Sequence, residues 1–513
     1  MHLVYTGVFR GISYRILKDK KAIEKYDDVF SGMVGSVNGR MYYKISNWYT
    51  VLKFMPLSKK IIPIWQEMLG VKNKTYDTKK NELSLIARIK TYIHFIYEFI
   101  NVPKNMDKLN EEFKVINKYF YNKYSKDNTE EELVELYFDV KNRLLDIWDI
   151  TLINDMYSFV YTGLLKHKLK KTYVEFEKKA NEYISGISNI ESMKPISALI
   201  KIAYEKDGLT KEQYEKEVDE YIQIYGDRNL EELKLESKTF RTNRELLEER
   251  INEYRQDFDK LEGLYNSLYK EADDKPLIKE KGISSIISKC KIGIKNRETS
   301  RLNRSRIFGI IREIFLSLGE KFEARNIICS RDDIFYLTVD EVFGMAQGSD
   351  DTSAIKDIIK KRKNDYELYK QLPPYTRLVF QDVEFDKFHV SINSVKIYRD
   401  DKTLYGIPCS NGVVEGEALV IENVHDIADY KDKILITKMT DPGWVFLLVE
   451  AKGVISQKGS LLSHTAIISR ELGVPSIVGV ENLLETIQTG DYIRMDGTTG
   501  SIEILEKAKQ NEI

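Results

Sequence analysis

The chain has 513 residues, and its 79 Lys and Arg nearly balance its 80 Asp and Glu, for a formal net charge of −1. That length predicts roughly two to four domains with ample core. The charge balance offers no single-sign field for nucleic acid or a membrane surface, so neither is expected as a partner.

Three cysteines, Cys290, Cys329 and Cys409, lie far apart with no CxxC pair. This spacing predicts neither a zinc site nor a disulfide framework and fits a reducing cytoplasm. The opening residues, MHLVYTGVFRGISYRILKDKK, lack the uninterrupted apolar core of a signal peptide, and no run of 18 apolar residues predicts a membrane span.

From about residue 78 to 370 the pattern is helical. Early in the chain, Trp48 and Tyr49 stand beside Tyr42 and Tyr43. They suit either the wall of an apolar substrate cavity or a core. Leu85, Ile89, Ile93, Ile96 and Ile100 recur at helical spacing and are expected to line one buried face. TEEE at 129–132 reads as a capping box from Thr129 to Glu132. It opens a second stripe through Leu133, Leu136, Val140, Leu144 and Ile147. YGDR at 225–228 predicts a turn after a helix. Asp227 there can take a proton from an acceptor hydroxyl, or cap a helix, or pair with Arg228. One helix is expected across 243–271 and a long one across roughly 283–326. The latter carries Arg297, Arg301, Arg304 and Arg312 at helical offsets on one face. Such a row suits bidentate phosphate binding; the competing reading is an ion-paired face, with Glu298 and Glu313 as partners.

After about residue 370 the character changes. QLPPYT breaks the helical run, and residues 385–403 read as a linker. GVVEGEALVIE, KILIT, GVIS, PSIVGV, DYIRMDG and GSIEIL then follow as short strands, with one clear helix at about 463–472. Strands alternating with a helix predict a compact α/β domain. The fold class expected is therefore multidomain: a large, mostly helical region followed by that α/β domain.

Within the α/β part, Ser463 is a good N-cap and Gly473 a good C′ residue, which places His464 in the first turn of a helix. Backbone N–H groups and the positive dipole end point there. The field disfavours imidazolium, so the ring stays nucleophilic, and it favours a phosphoryl group once attached. Gly459, Ser460, Ser463 and Thr465 are candidate donors around that group. A lone histidine so placed suits covalent phosphoryl carriage, although a cap or surface role fits the spacing as well.

The segment GSLLSHTAIISRELGVPSIVG resembles the phosphohistidine segment of phosphoenolpyruvate synthase, pyruvate phosphate dikinase and rifampin phosphotransferase. Gly459, Ser463, His464, Ala466, Ile467, Arg470, Glu471, Gly473, Pro475, Val478 and Gly479 match the shared pattern, while Ser460 replaces its second glycine. TDPGW at 440–444 and DGTTGSIEIL at 496–505 match on the flanks, and Asp441 and Trp444 join the candidate substrate-binding residues. Leu462 stands where plant-type dikinases carry a regulatory threonine. The resemblance implies a swivelling phosphohistidine domain over 404–507, with a short tail at 508–513, and His464 as the catalytic carrier.

Upstream, residues 39–56, 225–241 and 304–342 resemble the acceptor-binding helical region of rifampin-phosphotransferase-like proteins. That resemblance makes 76–384 a helical acceptor-binding domain and 1–75 its N-terminal segment. No Walker A or glycine-rich phosphate loop occurs, and neither the ATP-grasp domain nor the phosphoenolpyruvate-binding barrel of the full-length relatives is recognisable. The expectation is a split enzyme, as in phenylphosphate synthase. A separate ATP-grasp subunit holds ATP and Mg²⁺, and this chain holds no stable cofactor or metal of its own. It carries the phosphoryl group to a small organic acceptor. Two alternatives stand beside this reading: a condensing-enzyme subunit that uses phosphoryl activation, and a non-catalytic relative that keeps only the fold.

Overall fold

The computed structural model describes residues 2–18, 20–54, 58–59, 62, 84–144, 147–185, 191, 193–228, 234–269, 282–348, 352, 354–372, 403–421, 430–440, 444–459 and 463–508. Helices α1 (His2–Leu17), α2 (Lys20–Lys25) and α3 (Asp27–Ser31) lead into a hairpin of β1 (Val34–Val37) and β2 (Arg40–Tyr43), then α4 (Ile45–Leu52). Asn38 and Gly39 turn the hairpin at φ 50° and 69°. This is the left-handed geometry that an Asn-Gly pair favours.

There follow α5 (Leu85–Ile100), α6 (Val102–Lys123), α7 (Glu130–Leu144), α8 (Ile150–Leu169), α9 (Phe176–Ile184), α10 (Lys194–Glu205), α11 (Lys211–Tyr225), α12 (Glu245–Tyr254), α13 (Phe258–Tyr269), α14 (Ser284–Ala324), α15 (Val339–Ala346) and α16 (Ile355–Gln371). Helix α14 has 41 residues, about 60 Å at 1.5 Å per residue. It forms the spine of the helical half. Phe315, Leu318 and Phe322 of α14 share one apolar core with Phe9, Phe30, Phe113, Phe120, Leu133 and Leu144. Near its start, Gly293 lets α8 approach closely: a Cβ there would lie 2.4 Å from Ser158 Oγ. Asn154 Nδ2 donates to the Gly293 carbonyl at 3.1 Å across the same contact. The capping box of α7 forms in both directions: Glu132 N–H donates to Thr129 Oγ1, and Thr129 N–H donates to Glu132 Oε2.

Two expectations are corrected. Leu85, Ile89, Ile93, Ile96 and Ile100 lie on the exposed face of α5, between 51% and 72% exposed. The buried face carries Thr91, Phe95 and Glu98 instead. Phe95 joins the core, and Glu98 accepts from Arg15 Nη1 at 3.3 Å and from Asn105 Nδ2 at 2.9 Å. Periodicity revealed an apolar stripe, but the opposite face carried the partners that pull the helix inward. The single helix expected across 243–271 is two, α12 and α13. The break falls at Arg255–Asp257, where Asp257 Oδ1 accepts from Lys260 N–H at 3.0 Å and starts the second helix.

The C-terminal half holds β3 (Thr403–Tyr405), β4 (Ile407–Ser410), β5 (Val413–Ile421), β6 (Ile434–Thr437), α17 (Val445–Leu448), β7 (Gly453–Ser456), α18 (His464–Leu472), β8 (Ser476–Val478), α19 (Leu483–Thr486), β9 (Tyr492–Asp496) and β10 (Ser501–Glu506). Its eight strands order as β3-β10-β9-β5-β6-β7-β8-β4. β5, β6, β7 and β8 run parallel, and α18 is the crossover between β7 and β8. Every strand expected from the sequence is present; β3 and β4 are additions. The linker assigned to 385–403 lies outside the described residues except for Thr403, which begins β3.

The two halves share apolar cores. Trp444, Phe446 and Leu448 pack with Leu199, Tyr221, Leu247 and Tyr254. Cys409, Ala466 and Ile467 pack with Leu165, Tyr183, Cys290 and Ile294. Polar ties run alongside: Arg470 Nη1 donates to Asn181 Oδ1 at 3.0 Å, and Arg250 Nη1 to Tyr430 Oη at 2.7 Å. Among the described residues, no helix is long and apolar enough to cross a membrane.

Candidate functional site

His464 opens α18 as the sequence implies. Ser463 Oγ accepts from Ala466 N–H at 3.3 Å, and Gly473 closes the helix at φ 71°. Gly459, in the loop before it, holds φ 145°, and a Cβ there would lie 3.0 Å from Val478 Cβ. Positive φ and the close wall both require glycine. Thr465 Oγ1 is 2.6 Å from Thr440 Oγ1, so its hydroxyl ties the helix start to the loop after β6.

The imidazole is buried against the spine helix. His464 Nδ1 lies 3.3 Å from Glu298 Oε2, while Nε2 is buried with no hydrogen-bond partner among the described residues. An ionised carboxylate only accepts, so Nδ1 carries the proton and Nε2 keeps its lone pair. The ring therefore presents a nucleophilic nitrogen. Its proton affinity is lowered, first by burial and also by Arg301 and Arg228, with Glu298 pulling the other way. The neutral ring expected from the helix field is thus favoured chiefly by burial.

Arg301 Nη1 donates to Glu298 Oε1 at 3.3 Å, so one carboxylate joins the histidine to the arginine row. That row lines a cavity of about 140 Å³, with Arg297, Ser300, Arg301 and Arg304 on the α14 side and Trp148, Thr151, Asn154 and Asp155 opposite. Arg297 Nη1 pairs with Asp155 Oδ1 at 2.9 Å. Arg301 is pushed down to about 10 by burial, with Arg297 and Arg304 adding repulsion. Arg312, expected on the same face, instead donates to the Leu235 and Lys234 carbonyls at 2.9 and 2.7 Å.

The remaining candidates separate. Asp227 is buried and accepts from Arg241 Nε at 2.8 Å and Nη2 at 3.1 Å; its ion-pair partner is Arg241 rather than Arg228. Arg228 is buried close enough to influence His464. Trp48 and Tyr49 sit in the core of the helical half, Trp48 edge-on to Phe9 and Tyr43. Trp444 belongs to the core between the halves. Ser460 and Asp441 lie outside the described residues.

Sequence reasoning weighed Glu298 only as a partner for the arginines. Its position as a single acid inside the run Arg297 to Arg304 was the available signal. Among the described residues, no group of three or more His, Cys, Asp or Glu side chains is placed to hold a metal.

Residues 430–500 match the family described as PEP-utilising enzyme, mobile domain. Rifampicin phosphotransferase of Bacillus cereus is 37% identical over 213 residues, 41% of this chain and 23% of that protein. A probable phosphoenolpyruvate synthase of Staphylothermus marinus is 39% identical over 113 residues, 21% of this chain and 14% of that protein. An uncharacterised phosphotransferase of Bacillus subtilis is 26% identical over 355 residues, 65% of this chain and 41% of that protein. The matched regions span under half the length of each of these relatives. The chain thus carries a PEP-utilising enzyme mobile domain, with His464 inside it, and is homologous over part of its length to rifampicin phosphotransferase and phosphoenolpyruvate synthase.

Proposed function

We propose that this chain is a phosphotransferase subunit that carries a phosphoryl group on His464 to a small organic acceptor held by the helical half. The observation that carries the reading is the pairing of His464 Nδ1 with Glu298 at 3.3 Å, which leaves buried Nε2 as the nucleophile. In the first half-reaction Nε2 attacks phosphorus, an N–P bond forms, and the donor's O–P bond breaks. Glu298 offsets the positive charge that develops on the ring. In the second, an acceptor oxygen forms the new O–P bond, the N–P bond breaks, and the acceptor's hydroxyl proton leaves to base. Arg301, between Glu298 and the cavity, is positioned to neutralise the phosphoryl oxygens in flight.

The donor in this reading is ATP, bound with Mg²⁺ on a separate ATP-grasp subunit. ATP, acceptor and water give phosphorylated acceptor, AMP and phosphate. His464 then has two stations, and the docked arrangement described above is the acceptor station. Partial matches to phosphotransferases and the motif around His464 support this reading.

The test is phosphoryl incorporation from ATP radiolabelled in its β-phosphoryl group, with and without extract of the source cells, beside His464→Ala. Acid-labile, base-stable label that requires both the extract and His464 is expected. Label that persists in His464→Ala would end the carrier mechanism. Label without extract would remove the separate subunit.

A further inference from the structure

The arginine cavity has a charge imbalance that the carrier mechanism alone does not use. Arg297, Arg301 and Arg304 follow one another along α14 at helical spacing and converge on one small space. Asp155 is the one carboxylate lining that space among the described residues, and it is taken by Arg297 at 2.9 Å. Arg301 shares its partner, Glu298, with His464. Arg304 Nε is buried with no hydrogen-bond partner among the described residues. Adjacent buried cations that lack matching acids are unfavourable unless an anion joins them. The proton affinity of Arg301 is lowered first by burial, and the neighbouring Arg297 and Arg304 add to that lowering.

His464 is not among the residues lining the cavity, which meets it only through the Arg301–Glu298 contact. The cavity, at about 140 Å³, is well below the roughly 300–1,000 Å³ typical of pockets for drug-sized ligands. Asn154, Thr151 and Ser300 add neutral polar groups around the guanidiniums.

Resting on the carrier reading of His464, we infer that this cavity is a subsite for a small acidic group of the phosphoryl acceptor, a carboxylate or a phosphate. The acceptor is then itself an anion. Arg301 spans both functions, touching the carboxylate that orients the histidine and the space where the acid sits. An anion placed there relieves the repulsion between the guanidiniums and sits against Arg301, whose partner Glu298 also pairs with His464.

The experiment titrates the full chain with orthophosphate, with malonate as a short dicarboxylate and with malonamide as its neutral counterpart. Ionic strength is held constant with chloride, and binding is read by calorimetry and melting temperature. At least one anion is expected to bind and raise the melting temperature while malonamide does neither; which anion binds identifies the acid class. Arg304→Gln should weaken that binding at least tenfold, and Arg304→Lys should restore part of it, as a charge-dependent site requires. His464→Ala should bind anions as the unmodified chain does. Equal binding of malonamide, a shift reproduced by chloride, or full anion affinity in Arg304→Gln would overturn the subsite. Labelling of His464 without anion-specific binding would reject the subsite alone, whereas anion binding in a chain that never takes label would reject the carrier reading instead.

Discussion

Replacing Glu298 by Gln removes one charge at the joint between the mobile domain and the spine helix. The carboxylate is fully buried and faces His464 Nδ1 and Arg301 Nη1, each at 3.3 Å. An amide oxygen can still accept from Nδ1–H, so ring orientation survives while the charge is lost. Hydrogen bonds to charged groups contribute about 1.5–3 kcal/mol, so phosphorylation of His464 should slow roughly 10–100-fold. The same change should lower the histidine's proton affinity further, because Glu298 is the group that raises it. The folded chain already holds the proton off relative to the ordinary value of 6.5. The unfolded chain therefore binds more protons in the window below that value, and stability falls as pH drops through it. In Glu298→Gln that loss should extend to lower pH. The assays are labelling rate and an NMR titration of the His464 ring. An unchanged or raised ring pKa in the variant would refute the pairing on which the mechanism rests.

Four further substitutions test the framework. Ser463→Ala should cost about 1 kcal/mol, as lost N-caps do, because Ser463 Oγ accepts from Ala466 N–H; an identical melting curve would contradict the cap. Gly309→Ala would bring a Cβ within 2.1 Å of Asp227 Oδ1 and displace the carboxylate that holds Arg241. A loss of at least about 1–3 kcal/mol is expected from overpacking alone, and an undiminished melting temperature would place Asp227 elsewhere. On α5, Phe95→Ala should cost about 3–5 kcal/mol, whereas Ile93→Glu should stay within about 0.5 kcal/mol on an exposed face. The reverse ranking in denaturant melts would restore the isoleucine stripe as the inner face.

Much of the architecture was legible from local chemistry. Thr129 and Glu132 close a capping box with groups three residues apart, and Ser463 and Gly473 bracket α18 through their own backbone preferences. The short β-rich runs after residue 403 became strands because alternation and turn residues act over a few positions. Asn38-Gly39 carries a hairpin signal of the same kind, local to two residues.

What tertiary structure alone decided is which surfaces meet. A helical stripe on α5 does not say whether it faces a neighbour, and here Arg15 and Asn105, far from or beyond that stripe in the chain, fixed Glu98 and its face inward. Likewise, His464 and Glu298 lie 166 residues apart. The motif around His464 marks the nucleophile from sequence, because its cap, glycines and helix are local. Its carboxylate partner is met only once α18 docks on α14, and the arginine cavity forms only where α8 packs on α14, because electrostatic pairing and burial depend on distance in space, not along the chain.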